Sequence, residues 1–563
     1  MDVEILELVA VVAVLVIVAA SYFASKFGLA TPIVLVVLGL GLSLLPGMPH
    51  IEPDPELILA VVLPPLLYSA AVNMPVVDFR RDLRTIGALS VALVLVSAFG
   101  TGALLWWIFP DLGFAAAVAV GAVISPPDAV AATSIGKRLG LPPRLLTILE
   151  GEGLVNDATA LVLLRTAVAA TAGAFSFWEA AGSFAYAVAV AVVIGAVVGA
   201  VAVQVRSRIA QPTLTTAISF VVPFLAFLPA ESAGASGVLA VVAAGLATGA
   251  SGVRRLSAPD RNAERINWLT AQMLLENGVF LLMGLQLRAL VVDVQGAGLS
   301  VADSVWIGLA MVAALVVIRG VFVAPVILTA RRRRSGHEEK ARRFEEILTQ
   351  VSNDERFQQH PRGARIERWL QRNQADARFY AGNGLGWRGG AVLAWSGMRG
   401  VVTLAAAQSL PLDFPYRSQL ILLAFVVALV GQGGTLPLLI RVLGIRGTDQ
   451  ETAHRELSLL LGEMRQAATG QVLDNPDLHR RDGERFDDEV LEKVRALYSR
   501  RDEAVPQASA DTLGAQIPEL NQLLLEVEQD ALNEARSIGA YDSRTIAAAQ
   551  RVLDAAATRR GAH

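Results

Sequence analysis

About thirteen apolar runs, each long enough to cross a bilayer, follow one another along this chain, and no other feature limits its possible folds more. They fall at roughly 3–23, 29–45, 57–72, 85–109, 112–135, 145–170, 179–204, 212–229, 233–251, 268–291, 303–330, 389–410 and 418–443. In hydrocarbon every backbone N–H and C=O must find its partner within the protein, so runs of this length in series fold as a bundle of helices. Composition agrees: 54% of residues are hydrophobic and mean hydropathy is +0.50, too apolar for an ordinary soluble protein. Ala, Val, Leu and Gly dominate, which suits closely packed membrane helices. The chain opens "MDVEILELVA". Its first charges are acidic where a secretory signal begins basic, so the first run reads as a retained span.

Charge in the connections sets orientation. One alternate set carries Lys26; Arg80, Arg81 and Arg84; Lys137, Arg138 and Arg144; Arg206 and Arg208; Arg254, Arg255, Arg261 and Arg265; and the run Arg331–Arg334. The other set is nearly free of Lys and Arg, with Arg417 the exception. The alternation predicts an N-terminus outside and a C-terminus in the cytoplasm of a cell bounded by this membrane. Residues 1–446 therefore read as a membrane domain interrupted by a basic insert at 331–387, and residues 447–563 as a cytoplasmic tail. The insert holds 13 Lys/Arg against 8 Asp/Glu and reads as a solvated helical loop, with contact to an anionic inner leaflet as the alternative. The tail holds 14 against 22 and has the amphipathic pattern of helices that a small bundle would use. It contains no nucleotide-binding Gly-rich loop.

With no Cys, thiolate metal sites and disulfides are excluded, and the six scattered His form no ligand pair. No cofactor and no nucleic-acid partner are expected. An ionisable group inside a span is costly and is a functional candidate by default. Those here are Asp128; Glu150, Glu152 and Asp157; Glu276; Arg319; and Arg399, while Arg165 sits near a span end and is expected to snorkel. In "GAVISPPDAVAATS" (121–134), Pro126 and Pro127 break the fifth span beside Ser125 and Asp128. A broken helix at membrane depth survives where it is buried or lines a wet cavity. Freed carbonyls and Asp128 then face either a cation or a pairing group. In "LEGEGLVNDATALVL" (149–163), Glu152 and Asn156 share a helical face, with Asp157 about 100° further round. Burial favours a protonated carboxyl and a bound cation favours an ionised one, so one acid offers two alternative occupants.

A second interruption appears in "WSGMRGVVTLAAAQS" (395–409), where Gly397 and Gly400 flank Arg399 in the twelfth span. If spans 1–6 repeat as 8–13, the fifth and twelfth correspond and run in opposite directions. Paired interruptions of this kind point to a midplane site in a secondary transporter. Arg399 would neutralise helix ends there or pair with Glu152. Glu276 and Arg319 read as a buried scaffold pair.

"SPPDAVAA", "LEGEGLVNDATALVL", "ENGVFLLMGLQL" and "WSGMRGVVTLAAA", in this order, resemble the NhaP/NHE-like sodium/proton exchanger branch of the monovalent cation:proton antiporters. The resemblance covers about residues 1–446. It implies an all-α polytopic fold of about thirteen helices, crossed broken helices in spans five and twelve, a homodimer, and elevator-like exchange of Na+ for H+ across the plasma membrane. It implies that Asp157 is the ion- and proton-binding acid, with Asn156 completing the Asn-Asp pair, Glu152 supporting it and Asp128 as the acid of the broken span. Asp157 and Asp128 would hold the transported Na+, while Arg399, Glu276 and Arg319 would give structural support. Pro127 and Gly153 stand where many relatives carry Thr and Ser, so Ser125, backbone carbonyls or water would fill the coordination shell. Asn156 cannot titrate, which favours one proton per cation and electroneutral exchange. The alternatives are a K+/H+ or broad monovalent-cation antiporter (Na+, Li+ or K+), a channel, and, remotely, an intramembrane aspartyl protease, whose Tyr-Asp and Gly-x-Gly-Asp sequences surround neither acid.

Overall fold

The computed structural model describes residues 3–27, 30–45, 54–128, 132–133, 136–137, 139–171, 173, 177–209, 211–353, 363–382, 385–397, 401–430, 436–445, 450–480, 482–499 and 512–561. Among these the chain is helical, without a strand longer than an isolated bridge. It forms two compact units, Met1–Arg333 with Gly384–Arg446, and Arg334–Asn383 with Gly447–His563.

In the first unit the helices follow the apolar runs: α1 (Val3–Phe27), α2 (Thr31–Ser43), α3 (Pro55–Val72), α4 (Val76–Ile108), α5 (Phe114–Ile124), α6 (Pro143–Thr171), α7 (Phe177–Arg206), α8 (Pro212–Ser232), α9 (Gly237–Arg255), α10 (Ala258–Gly296) and α11 (Val301–Ser352). The twelfth run is two helices, with α12 reserved for the insert (Gly363–Gly382): α13 (Trp387–Trp395) and α14 (Val401–Gln408). The thirteenth is α15 (Arg417–Val430) and α16 (Leu436–Val442). Both predicted interruptions are present among the described residues. Helix α5 stops at Ile124 and Ser125–Asp128 are not helical; α13 stops at Trp395 and Ser396 and Gly397 are not helical. Helices α10 and α11 outrun their apolar stretches, because the bilayer limits the hydrophobic length of a helix and not its end.

Two helices carry a widened π-turn. In α3 it spans Ile58–Val62, next to Pro64 and Pro65, whose rings remove N–H donors and crowd the preceding turn. In α4 it spans Ala88–Leu93 and turns Ser90 toward α6.

Small residues set the closest approaches. On α7, Gly195 and Gly199 lie one turn apart against Ala240 and Ala244 of α9, and a Cβ on either would run into those residues' carbonyls. Much of the outer surface of the bundle is apolar and exposed, as a lipid-facing surface requires. Trp107, Trp178 and Trp306 are exposed near helix ends, the depth at which amphipathic rings collect.

Several Arg residues that sequence assigns to connections are buried instead, each on a carboxylate. Arg144 at the start of α6 meets Asp82 of α4 at 2.7 Å, and Arg206 at the end of α7 meets Glu264 of α10 at 2.6 Å. Asp82, Arg144, Arg206 and Glu264 are all buried. Each such charge is tolerated only because its partner is in place.

The second unit joins the insert to the tail, which sequence treats separately. Its helices are the part of α11 from Arg334 onward, α12, α17 (Gln450–Ala468), α18 (Asp488–Ser499), α19 (Thr512–Ile538) and α20 (Ser543–Gly561), and α12 packs on α19. Leu520 and Leu524 of α19, together with Val490 and Val494 of α18, build one apolar centre; Leu460 and Met464 of α17, with Leu532 and Leu553, build another.

Gly195→Val should push α7 off α9 and lower stability by about 1–3 kcal/mol. Thermal unfolding in detergent checks this, with Gly182→Val, whose Cβ meets open space, expected to behave as wild type.

Candidate functional site

The site is built around α6. Its "EGEGLVNDA" stretch places Glu152 and Asn156 one turn apart on a single face, and both side chains are buried. Each reaches one of the two interruptions.

Asn156 serves the fifth-span break. Pro126 and Pro127 have no N–H, so the carbonyls around them lose the helical partners they would otherwise have. The Asn156 Nδ2 donates to the Pro127 carbonyl at 2.7 Å. Its other amide atom, Oδ1, is buried and has no hydrogen-bond partner among the described residues. Ser125, also buried, donates back to the Ala122 carbonyl at 3.4 Å.

Glu152 serves the twelfth-span break through Arg319 of α11. The guanidinium is bidentate on the carboxylate, Nη1 to Oε1 at 2.5 Å and Nη2 to Oε2 at 2.6 Å, and all of it is buried. Its Nε donates to the Leu393 carbonyl at 2.7 Å. Leu393 lies in the last turn of α13, where carbonyls have no helical donor because the helix stops two residues on. The Ser90 hydroxyl, presented by the π-turn of α4, donates to the Glu152 carbonyl at 3.2 Å. A small cavity with room for about one water lies against Arg319, lined also by Val312, Leu315, Ala394, Gly397 and Val427.

Arg319 therefore pairs with Glu152 and not with Glu276, which corrects the scaffold pair expected from sequence. Spans ten and eleven are neighbours in sequence, but a pair needs neighbours in space, and α6 is the one beside Arg319. Glu276 is partly buried and within electrostatic reach of Asp128, as is Asp157. Three carboxyl groups, Asp128, Asp157 and Glu276, thus belong to one electrostatic neighbourhood. Asp157 and Asp128 keep partial exposure, whereas Glu152 and Asn156 are sealed. The two buried side chains support the backbone at the breaks, and the two part-open acids lie within electrostatic reach of each other.

Arg399 and Gly400 lie outside the described residues. Glu150 pairs with Lys137 at 2.7 Å, and Arg165, expected only to snorkel, bonds Glu231 of α8 at 3.0 Å. Sequence reasoning missed Ser90, Asp82 and Glu264. The two acids sit among basic loop residues and read as solvated charge. Ser90 is an ordinary apolar-run serine until a π-turn directs it.

A bundle of membrane helices with two interrupted spans, and carboxyl groups gathered beside one interruption, defines a polytopic ion-transporting membrane protein. The chain belongs to the family "Sodium/hydrogen exchanger, transmembrane", which matches residues 11–442. Members of that family are cation/proton antiporters. An uncharacterized Na+/H+ exchanger of Mycobacterium tuberculosis strain H37Rv is 28% identical over 91% of this chain and 87% of its own. A sodium, potassium, lithium and rubidium/H+ antiporter of Bacillus pumilus is 32% identical over 49% of this chain and 43% of its own. Among solved structures, the sodium proton antiporter MjNhaP1 of Methanocaldococcus jannaschii shares the fold, with a TM-score of 0.53 and 15% identity, over 78% of this chain and 100% of that one.

Arg319→Met alone should strand the Glu152 carboxylate and cost about 3–5 kcal/mol, while the double variant Glu152→Leu/Arg319→Met should recover much of that loss. Thermal unfolding of the purified variants in detergent measures both.

Proposed function

We propose that this protein exchanges Na+, and Li+ where present, for H+ across the plasma membrane, with Asp157 taking either occupant in turn. The reading rests on one observation above the others. Asp157 follows directly on the residue that holds open the break at Pro127, and it shares its electrostatic neighbourhood with Asp128 of that same break. An ion there would meet carboxylate oxygens, backbone carbonyls freed by the prolines, and the Asn156 Oδ1 or the Ser125 hydroxyl: hard oxygen ligands, which suit a hard cation. Protonation of Asp157 removes the charge that attracts the cation, and cation binding disfavours protonation. That competition couples the two fluxes without both ligands being carried together.

The neutral amide of Asn156 leaves one titrating acid in the Asn-Asp pair. One H+ then balances one cation and the exchange is electroneutral. Glu152, Arg319, Arg399 and Glu276 act as support in this reading. The N-terminus lies outside and the tail in the cytoplasm, the working unit is a homodimer embedded in lipid, and the activity serves pH homeostasis. The Bacillus relative's stated range of sodium, potassium, lithium and rubidium favours, as a second reading, exchange of several monovalent cations.

In proteoliposomes with a pH gradient, Asp157→Asn should abolish cation-driven proton release while purifying as a folded protein. Exchange at the wild-type rate would end the proposal. Na+, Li+ and K+ tested side by side separate the two readings of selectivity. An imposed potential should leave the wild-type rate unchanged, and acceleration by voltage would rule out one-for-one exchange.

A further inference from the structure

We propose that the exposed face of α12, the helix of the insert, is a docking surface for anionic phospholipid headgroups. Gly363, Leu370 and Ala377, seven residues apart, form its buried stripe, and the helix packs on α19. At 100° per residue, Arg368, Arg372, Arg365 and Trp369 take successive places on the arc opposite that stripe, while Ile366 lies at the margin, beside Ala377. All five are exposed. Trp369 is 56% exposed and Ile366 39%. The acids of the helix, Glu367 and Asp376, are both half-buried. The outward arc therefore combines three guanidinium groups with an indole, and a branched aliphatic side chain borders it.

A purely solvated face has no use for an exposed indole between arginines. A helix lying in the plane of a membrane interface has this composition: basic groups for phosphate, and aromatic and aliphatic groups for the boundary of the acyl chains. Trp369 also meets Phe344 edge to face, with ring centroids 6.2 Å apart, so the indole is held against α11 and not left to fold back on its own helix. In that same stretch of α11, exposed Lys340, Arg342 and Arg343 are balanced by exposed Glu339, Glu345 and Glu346, so the excess positive charge lies on α12 itself. The tail, with 14 Lys/Arg against 22 Asp/Glu, is repelled by an anionic surface, which leaves the insert as the part that such a surface attracts.

Gly382, the last residue of α12, is five residues from Trp387, the first residue of α13, so the connecting chain can span at most about 18 Å. Trp387 is 64% exposed at the start of an apolar helix, where an indole marks the interface. Under the orientation proposed above, the leaflet concerned is the cytoplasmic one.

The absence of Cys makes the test direct, because Arg365→Cys in the full chain gives a single site for a nitroxide on the arc. The labelled protein is reconstituted in phosphatidylcholine vesicles with or without phosphatidylglycerol in both leaflets, which makes the readout independent of orientation. With phosphatidylglycerol, the label should become accessible to oxygen and shielded from a water-soluble nickel chelate. In phosphatidylcholine alone it should stay in water. A label at Gln371→Cys, off the arc, should not show this shift. Replacing Arg368 and Arg372 by Gln should release the label, with roughly a fivefold loss in the docking equilibrium for each arginine at the membrane surface. A label at position 365 that remains in water in both vesicles, one shielded from oxygen and nickel alike as a protein contact would be, or one indifferent to the double substitution would each overturn the proposal. Cation/proton exchange in the same vesicles reports separately on transport, since none of these residues belongs to the ion site.

Discussion

Two side chains one helical turn apart, Glu152 and Asn156, carry the problem that the rest of the membrane bundle is arranged to solve. Interrupting a helix at membrane depth leaves carbonyls without donors, and water is not freely present to replace them. Asn156 donates directly to the Pro127 carbonyl. Glu152 acts at one remove: it fixes Arg319, and Arg319 donates to Leu393 at the end of α13. A single stretch of α6 therefore supports both interruptions. The pair Glu152–Arg319 is buried on both sides, so neither charge is stable without the other, and the arrangement of α6, α11 and α13 is specified together.

This division of labour explains why three polar positions on one helix, Glu152, Asn156 and Asp157, can differ so much in accessibility. Glu152 and Asn156 are buried and hold the backbone at the two breaks. Asp157, rotated by about a quarter turn, keeps partial exposure and faces the charge of Asp128. Under the proposed exchange Asp157 would release and accept ions, which requires a route to solvent. A carboxylate that holds an arginine does better without one, since water would weaken the ion pair.

Charge at the helix ends follows the same rule. Arg144 with Asp82 and Arg206 with Glu264 sit where loop composition suggests solvated residues, yet the four are buried in pairs. They join α6 to α4 and α7 to α10. At the positions that face lipid, by contrast, the surface is apolar, while between helices small residues such as Gly195 and Gly199 allow approach at backbone distance.

The number and places of the helices, the two interruptions and the shared face of Glu152 and Asn156 were legible in the sequence, because each depends on local properties: apolar length, missing proline N–H groups and the pitch of an α-helix. Family membership was legible too, since four motifs keep their order along the chain. The partner of Arg319 was not. Glu276 is the acid in the neighbouring span, but helix α11 turns Arg319 toward α6, and only packing fixes that rotation. The π-turn that aims Ser90, the burial of Asp82 and Glu264, and the union of insert and tail in one unit were likewise decided in three dimensions. A sequence fixes which groups must be satisfied, and tertiary structure chooses which neighbour satisfies them, because that choice depends on distances between residues far apart in the chain.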